Sequence, residues 1–468
     1  MDPFPIGTVR YTSSDRLQRR ENDLVPVYIQ PADFLARRTA VLGMTRTGKS
    51  NMVKQTVSVV KKISTDAHLK IGQLIFDING EYANANNEDK GAISEIFKEE
   101  CVRYRMLKKE GDGFESLLTN FYEQLEIGYQ IITEVVDEKK MPNDVKTFLT
   151  GMSFDEPEEM NEKKRYAVRI AIYKSLLYTA GFLNKSNTII KFDANGDVIT
   201  LAGGINPKTG LSLKETRDWF LRLRAAARTR ATNNNIRVWR ESVLSSSGKP
   251  WLDEVSAAMI NMMALKNDTD QPAFGYRCLL PVRDYHTSER STLVTKEIYE
   301  HLKKGKIVIL DLSVGIATLR ERISTDLAKY IFNASMNIFT AGQDAKPPFI
   351  MIYIEEAHNL IGREMQLTEI WPRIAKEGAK YNIGLVYATQ EVSSVHHNIL
   401  SNTENWFVSH LNSENEIKEL DKFYDFADFH KSLLRAQDVG FTRVKTLSSS
   451  FVVPVQIDKF DPEKWRNK

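Results

Sequence analysis

The stretch that most constrains this chain is Gly43-Met44-Thr45-Arg46-Thr47-Gly48-Lys49-Ser50. It follows Thr39-Ala40-Val41-Leu42, a short apolar and partly β-branched run of the kind that forms a buried parallel strand. After it, Met52, Val53 and Val57 recur at helical spacing. Gly43 and Gly48 let the backbone turn its N–H groups into one concavity, and such a nest at a helix N-terminus holds phosphate. In this template the lysine reaches the outer phosphates and the next hydroxyl ligates Mg. The pattern points to ATP and Mg, with Gly43, Thr45, Thr47, Gly48, Lys49, Ser50 and Asn51 around them.

A second signal lies far downstream. The apolar run 349–354 ends in Glu355-Glu356-Ala357-His358-Asn359. In a phosphate-loop ATPase the first acid at such a strand end holds Mg, and the second positions and polarises the attacking water. Neighbouring residues of a strand point to opposite faces, but the chain turns at the strand's end, so both acids can serve one site. A solvated charge pair is the plainer alternative, and the upstream loop argues against it. Residues 383–388 lead into Thr389-Gln390, a polar pair placed either as a sensor of the γ-phosphate or as a simple turn. In Phe76-Asp77-Ile78-Asn79-Gly80-Glu81-Tyr82, two more acids sit at the carboxyl end of a strand, where ligands of α/β sheets bind. They either assist Mg or nucleotide, or flank an Asn-Gly turn.

With 468 residues the chain exceeds one ordinary core. Residues 1–38 read as short extended pieces with prolines, the tail of an N-terminal β element. Strand–helix–strand texture over 39–90 predicts a second strand at 71–77, parallel to the first. Long charged amphipathic stretches over 91–299 predict a mainly helical insertion. Within it, residues 166–179 form a helix stopped by Gly181, residues 188–201 a β-hairpin around Asn195-Gly196, and Ser212-Leu-Lys-Glu215 a capping box. From 300 to 468 the α/β texture returns, with strands at 306–312, 349–354, 383–388, 406–411 and 451–457. The expected fold class is α/β with a mainly parallel sheet plus a large helical insertion.

Together these runs resemble the HerA family, hexameric ATPases of the HerA–FtsK group that pump double-stranded DNA through a central pore. The resemblance rests on Gly48-Lys49-Ser50-Asn51, on Phe76-Asp77 to Gly80-Glu81-Tyr82, on Ile354 to Asn359, and on Ala375-Lys376-Glu377-Gly378 to Ala388-Thr389-Gln390. It covers roughly 25–85 and 300–460. It implies a RecA-like phosphate-loop core, Lys49 and Ser50 on nucleotide and Mg, Glu355 at the Mg position, Glu356 as catalytic base and Gln390 as sensor. It also implies a homo-hexamer, a duplex-DNA partner and an effector, such as a NurA-like nuclease or the sirtuin-type NAD-cleaving proteins coupled to HerA-type ATPases in some antiphage operons. Two departures stand out. Where the family has an arginine after Glu-Gly that serves a neighbour's γ-phosphate, this chain has Ala379-Lys380, so the inter-subunit arginine is missing or lies elsewhere, with Arg37, Arg38 and Arg373 as candidates and Lys380 a poorer one because lysine lacks the planar fork. The family's N-terminal β-barrel, which docks nucleases, is represented at most by its last strands within 1–38.

Net charge is only +3, so a DNA surface must be local. Between Arg217 and Arg240 seven arginines face one acid, Asp218, with Trp219 and Trp239 interleaved. Arg224, Arg228 and Arg230 are candidate DNA contacts there, acting by charge without reading bases. The competing reading is an amphipathic helix with solvated or paired arginines. Two cysteines form neither a disulfide framework nor a cysteine-rich metal site, and a reducing cytoplasm is expected. No apolar run approaches a bilayer span. The leading expectation is an ATP-driven DNA translocase. The alternative is an ATPase platform that activates an antiphage effector with little motor activity. No Asn-Lys-x-Asp guanine box and no Leu-Ser-Gly-Gly-Gln run occurs, which argues against a GTPase and a transporter ATPase.

Overall fold

A computed structural model describes residues 2–11, 24–84, 91–106, 111–290, 292–314, 317–342 and 346–466. The chain divides into two compact units, Met1–Leu117 with Val294–Lys468, and Leu118–Leu293.

The first unit is built on one sheet. Its strands are β1 (Phe4–Val9), β2 (Pro26–Ile29), β3 (Arg38–Leu42), β4 (Ile71–Asp77), β5 (Cys101–Arg105), β6 (Glu115–Ser116), β7 (Ile307–Asp311), β8 (Phe349–Ile354), β9 (Ile383–Thr389), β10 (Asn405–Val408), β11 (Phe441–Thr446) and β12 (Ser449–Ile457). Their order is β2-β1-β12-β11-β10-β3-β9-β8-β4-β7-β5-β6. From β10 to β6 every pairing is parallel, and from β10 to β2 every pairing is antiparallel. The expected RecA-like α/β core is thus present. The parallel strands read as continuous apolar runs because both faces are covered: β3, β4, β7 and β9 are buried at every residue. Strands β3 and β4 are parallel as expected, with β9 and β8 between them. The helix Lys49–Asp66 packs Val57, Val60 and Ile63 into the core with Ile75, Tyr353 and Phe407. One polar side chain inside, Gln73, is satisfied: its amide donates to the Val57 carbonyl at 3.1 Å and it accepts from the Tyr353 hydroxyl at 2.6 Å.

Two boundaries differ from the sequence reading. The N-terminal strands are joined to the core sheet. Among the described residues, β1 pairs with β12 and β2 with β1, so the segment extends the core sheet as its antiparallel edge. Second, β5 and β6 lie in the stretch read as helical insertion, yet they lengthen the sheet, with Cys101 opposite Ile307 and Arg105 opposite Asp311. The arginines of Cys-Val-Arg-Tyr-Arg hid this strand. In the fold Arg105 donates to Asp311, and both Arg103 and Arg105 stack on Phe114, at 4.4 and 3.9 Å.

The second unit is mainly helical, with helices at Leu125–Val135, Asn143–Gly151, Met160–Thr179, Gly196–Leu201, Leu213–Asn233 and Glu254–Ala264. Gly181 follows the third of these at φ 84°, and the Ser212–Glu215 capping box opens the fifth. The hairpin expected over 188–201 does not form. Asn195 has φ −79°, outside the positive-φ geometry a tight hairpin turn needs, and its side chain accepts from Val198 N at 2.9 Å. Asn-Gly here caps a helix instead. At the centre of this unit Asn261 makes four hydrogen bonds: it accepts from Arg224 Nε and Trp239 Nε1, and donates to Asp144 and Asp268. No helix of the described residues is long and apolar enough to cross a membrane.

Candidate functional site

The phosphate loop leaves β3 and enters the helix at Lys49. A Cβ on Gly43 would sit 2.7 Å from Thr47 Oγ1 and 2.8 Å from Ser409 Cβ, so only glycine fits. Gly48 caps the helix at φ 101°, a conformation that suits glycine. The loop is fastened on several sides. Gly43 N donates to Thr389 O at 3.1 Å, Met44 N to His410 O at 2.9 Å, and Gly440 N to Thr47 O at 2.9 Å. Thr47 Oγ1 donates to Met44 O at 2.7 Å. Thr45 Oγ1 donates to Gln390 Oε1 at 3.1 Å, so the end of β9 touches the loop directly.

Behind the loop the residues picked from distant parts of the sequence converge. Ser50 Oγ donates to Glu355 Oε1 at 3.2 Å, and the buried Tyr82 hydroxyl lies 3.4 Å from the same oxygen. Burial, then Glu81 and Asp77, push the Glu355 carboxyl up to about 8. Lys49 Nζ donates to Met44 O at 3.1 Å. Burial lowers its pKa, against the pull of Glu356, Glu355 and Glu81. Glu356 turns the chain at φ 45°, ψ 54°, a left-handed conformation that costs an ordinary residue on the order of 1 kcal/mol or more. That turn brings both glutamates to the carboxyl end of β8. His358 Nδ1 lies 3.6 Å from Glu356 Oε2 and 3.2 Å from Thr389 Oγ1.

The donor set fits Mg and a nucleotide. Glu355 Oε2 and Glu356 Oε2 are buried without a hydrogen-bond partner, and a native fold keeps such groups where something else satisfies them. A hydroxyl beside a carboxylate is a hard oxygen set. Mg characteristically takes one or two carboxylates together with phosphate oxygens, and no cluster of three or more acid, His or Cys ligands occurs among the described residues.

Other residues marked in the sequence have different occupations. Asp77 accepts from the backbone N–H groups of Gly80, Glu81, Tyr82 and Ala83, closing the turn after β4. Burial pushes it up to about 6 against the donors of Ala83, Tyr82 and Glu81, with Asp311 adding to the rise. Asn51, expected at the nucleotide, braces the C-terminal segment: its amide donates to Asp458 O at 3.0 Å and it accepts from Phe460 N at 2.6 Å. Arg37 pairs with Glu404 at 3.2 Å. Arg38 is buried between Asn402 O and Glu404, and Arg373 stacks on Phe332 at 4.6 Å. Lys380 lies over Phe339 and Tyr381.

The basic stretch of the second unit is an amphipathic helix. Trp219 and Trp239 are fully buried. Arg224, expected to be available to DNA, is 4% exposed and bound to Asn261, Asp270 and the Asn267 carbonyl. Arg230 makes a bidentate pair with Asp197 at 2.6 and 2.8 Å. Arg228 is half-buried and donates to the Arg237 carbonyl at 3.2 Å. The sequence reading missed Tyr82 as a neighbour of Glu355, and the Ser409-His410 and Val439-Gly440 cradle of the loop. Tyr82 stood in the quoted run after Glu81, but the cradle residues carry no local signal.

Residues 4–191 match the family model described as "Helicase HerA, central domain". The DNA double-strand break repair helicase HerA of Sulfurisphaera tokodaii is 26% identical over 178 residues, 37% of this chain and 36% of that protein. Its counterpart from Saccharolobus solfataricus is 25% identical over 177 residues, 36% and 34%. The match thus spans about a third of the length of these relatives. Among solved structures, VirB4 of Thermoanaerobacter pseudethanolicus is 12% identical, with 99% of this chain and 98% of that one covered and a TM-score of 0.39. The bacterial conjugative coupling protein TrwBdeltaN70 is 12% identical, with 98% and 94% covered and a TM-score of 0.40. The phosphate loop lies within the residues that the family model matches and the paired-glutamate strand end lies outside them; over that part the chain is similar to the HerA helicases.

Proposed function

We propose that this chain hydrolyses ATP at the phosphate loop and works as a hexameric ring motor on double-stranded DNA, together with a partner effector such as a nuclease. The observation that carries the hydrolysis is the convergence of Lys49, Ser50, Glu355 and Glu356, with one oxygen of each carboxylate buried without a hydrogen bond. Backbone N–H groups of 43–50 cradle the phosphates, and Lys49 exchanges the Met44 carbonyl for the outer phosphate oxygens. Glu356 orients a water and takes its proton as the water oxygen bonds to the γ-phosphorus and the bond to the bridging oxygen breaks, releasing ADP. Ser50 and Glu355 would hold Mg, which when bound would supply charge neutralisation at the phosphates. Gln390, hydrogen-bonded to Thr45, is placed to couple the state of the loop to the end of β9.

The duplex-DNA part rests on the relatives, which are named as DNA double-strand break repair helicases. It is tested by measuring hydrolysis and salt-sensitive binding with and without duplex DNA. Stimulation of turnover by duplex supports the motor; a purified assembly that neither binds duplex at low salt nor speeds up with it refutes the motor. A second reading, an ATPase platform that binds and activates an antiphage effector, is favoured by one specific observation. Arg224 and Arg230, two of the three arginines expected to meet DNA, are engaged within their own unit. If replacing Arg228 and Arg230 with Ala leaves DNA binding unchanged, that stretch has no part in a DNA path.

A further inference from the structure

We infer that Arg46 contacts the outer phosphates of a nucleoside triphosphate, supplying the guanidinium that position 379 lacks. This rests on the ATPase reading above and goes beyond its residues. Arg46 stands in the middle of the phosphate loop at φ 65°, in the left-handed region. Glycine adopts that conformation freely, and a bulky side chain there is strained. Strain of this kind persists at ligand-binding loops when the side chain has a task.

The residues on either side are tied down, Thr45 to Gln390 and Thr47 to Met44 O. Arg46 itself is exposed, and among the described residues it makes no ion pair, hydrogen bond or ring contact. The three arginines that the sequence offered for the phosphates are occupied: Arg37 and Arg38 by Glu404, Arg373 by Phe332. Charge makes the same demand. Lys49 faces Glu356, Glu355 and Glu81, and a triphosphate adds further negative charge to that group. A guanidinium on the same loop can meet phosphate oxygens with two parallel hydrogen bonds. The competing account is a solvated turn residue, in which case glycine would serve at least as well.

The test is Arg46→Gly in the full chain, because it removes the guanidinium and relieves the backbone together. The variant is expected to melt no lower than wild type and to bind ADP similarly. It is expected to lose roughly 10-fold in affinity for a non-hydrolysable ATP analogue and about 100-fold in turnover. Arg46→Lys should recover only part of this, since an ammonium lacks the planar fork. Wild-type turnover in Arg46→Gly would overturn the inference. Glu356→Gln and Lys49→Ala run alongside: if those variants keep wild-type turnover, the ATPase reading itself fails, whereas their loss with Arg46→Gly intact removes Arg46 alone. Mixing Arg46→Gly with Glu356→Gln chains distinguishes whose phosphates are bound. Recovered turnover assigns Arg46 to a neighbouring subunit's nucleotide, and no recovery assigns it to its own.

Discussion

Glu355 offers the sharpest measurement, because the same burial that suits it to a cation makes it destabilising without one. Its carboxyl is 5% exposed and pushed from the usual glutamate value of 4.5 up to about 8. A carboxyl whose folded pKa lies above its unfolded pKa binds more protons when folded. Its contribution to stability is therefore fully present below about 4.5 and is lost as pH rises towards 8, levelling off above that. At pH 7 the loss amounts to roughly 2.5 of the 3.5 pH units between the two values, or about 3 kcal/mol. Glu355→Gln removes the titration while keeping an oxygen that can accept from Ser50 and Tyr82. Its new N–H group lacks an assigned acceptor, so the net gain at pH 8 should be smaller, about 1–3 kcal/mol, or a few degrees in Tm. The assay is thermal unfolding of wild type and variant from pH 5 to 9 in chelator, without nucleotide. The two curves should meet near pH 5 and diverge as pH rises, with the variant the more stable. Asp77, pushed up to about 6, titrates in the same window and interacts with Glu355, so the comparison is repeated with Asp77→Asn in both proteins. Adding Mg with a non-hydrolysable ATP analogue should shrink the divergence, since a bound cation favours the ionised carboxylate. Parallel curves across the whole range would sink the reasoning.

Three further outcomes are expected. Glu356→Gln should bind ATP as wild type does and lose most turnover, read by nucleotide titration beside steady-state hydrolysis; wild-type rates would move the base elsewhere. Gly43→Ala should abolish nucleotide binding, because the added methyl meets Thr47 Oγ1 and Ser409 Cβ inside 3 Å, and unchanged affinity in a titration would contradict the packing. Arg224→Ala should destabilise the second unit by about 2–4 kcal/mol, since it leaves Asn261 and Asp270 short of a buried partner. Calorimetry and duplex-DNA binding together check it: weakened DNA binding with unchanged stability would return Arg224 to the role the sequence suggested.

What was legible in the sequence had a local backbone or pattern requirement. The phosphate loop needs glycine at 43 and 48 for steric reasons confined to a few residues. Runs such as 349–354 and 383–388 are dominated by apolar residues because both faces of a parallel strand are covered. The Ser212–Glu215 box caps a helix with partners three residues apart. What was hidden depended on partners far away in the chain. Cys-Val-Arg-Tyr-Arg did not look like a core strand because the acid that pairs with Arg105 lies 206 residues downstream. Asn195-Gly196 suits a hairpin and a helix cap equally well until the neighbouring chain is known. The basic stretch at 217–240 was ambiguous for the same reason: Asp197, Asn261 and Asp270, which hold its arginines, lie outside the window that was counted.

The charges at the ends of the strands follow from one conflict. A parallel sheet covered on both faces leaves its carboxyl ends as the place where backbone and side chains can face a ligand. Placing two glutamates there at the end of β8 concentrates negative charge beside Lys49, and the fold does not resolve it internally: Glu355 and Glu356 each keep a buried oxygen without a hydrogen bond. It also holds Glu356 and Arg46 in left-handed conformations within the same site. Asp77, one strand over, shows that this sheet can surround a buried carboxylate with donors, four backbone N–H groups on one side chain. The difference between Asp77 and Glu355 therefore does not come from where they sit in the sheet. It comes from leaving Glu355 short of donors beside a hydroxyl and a phosphate loop, and the pH dependence of its stability is the direct measure of how far that has been carried.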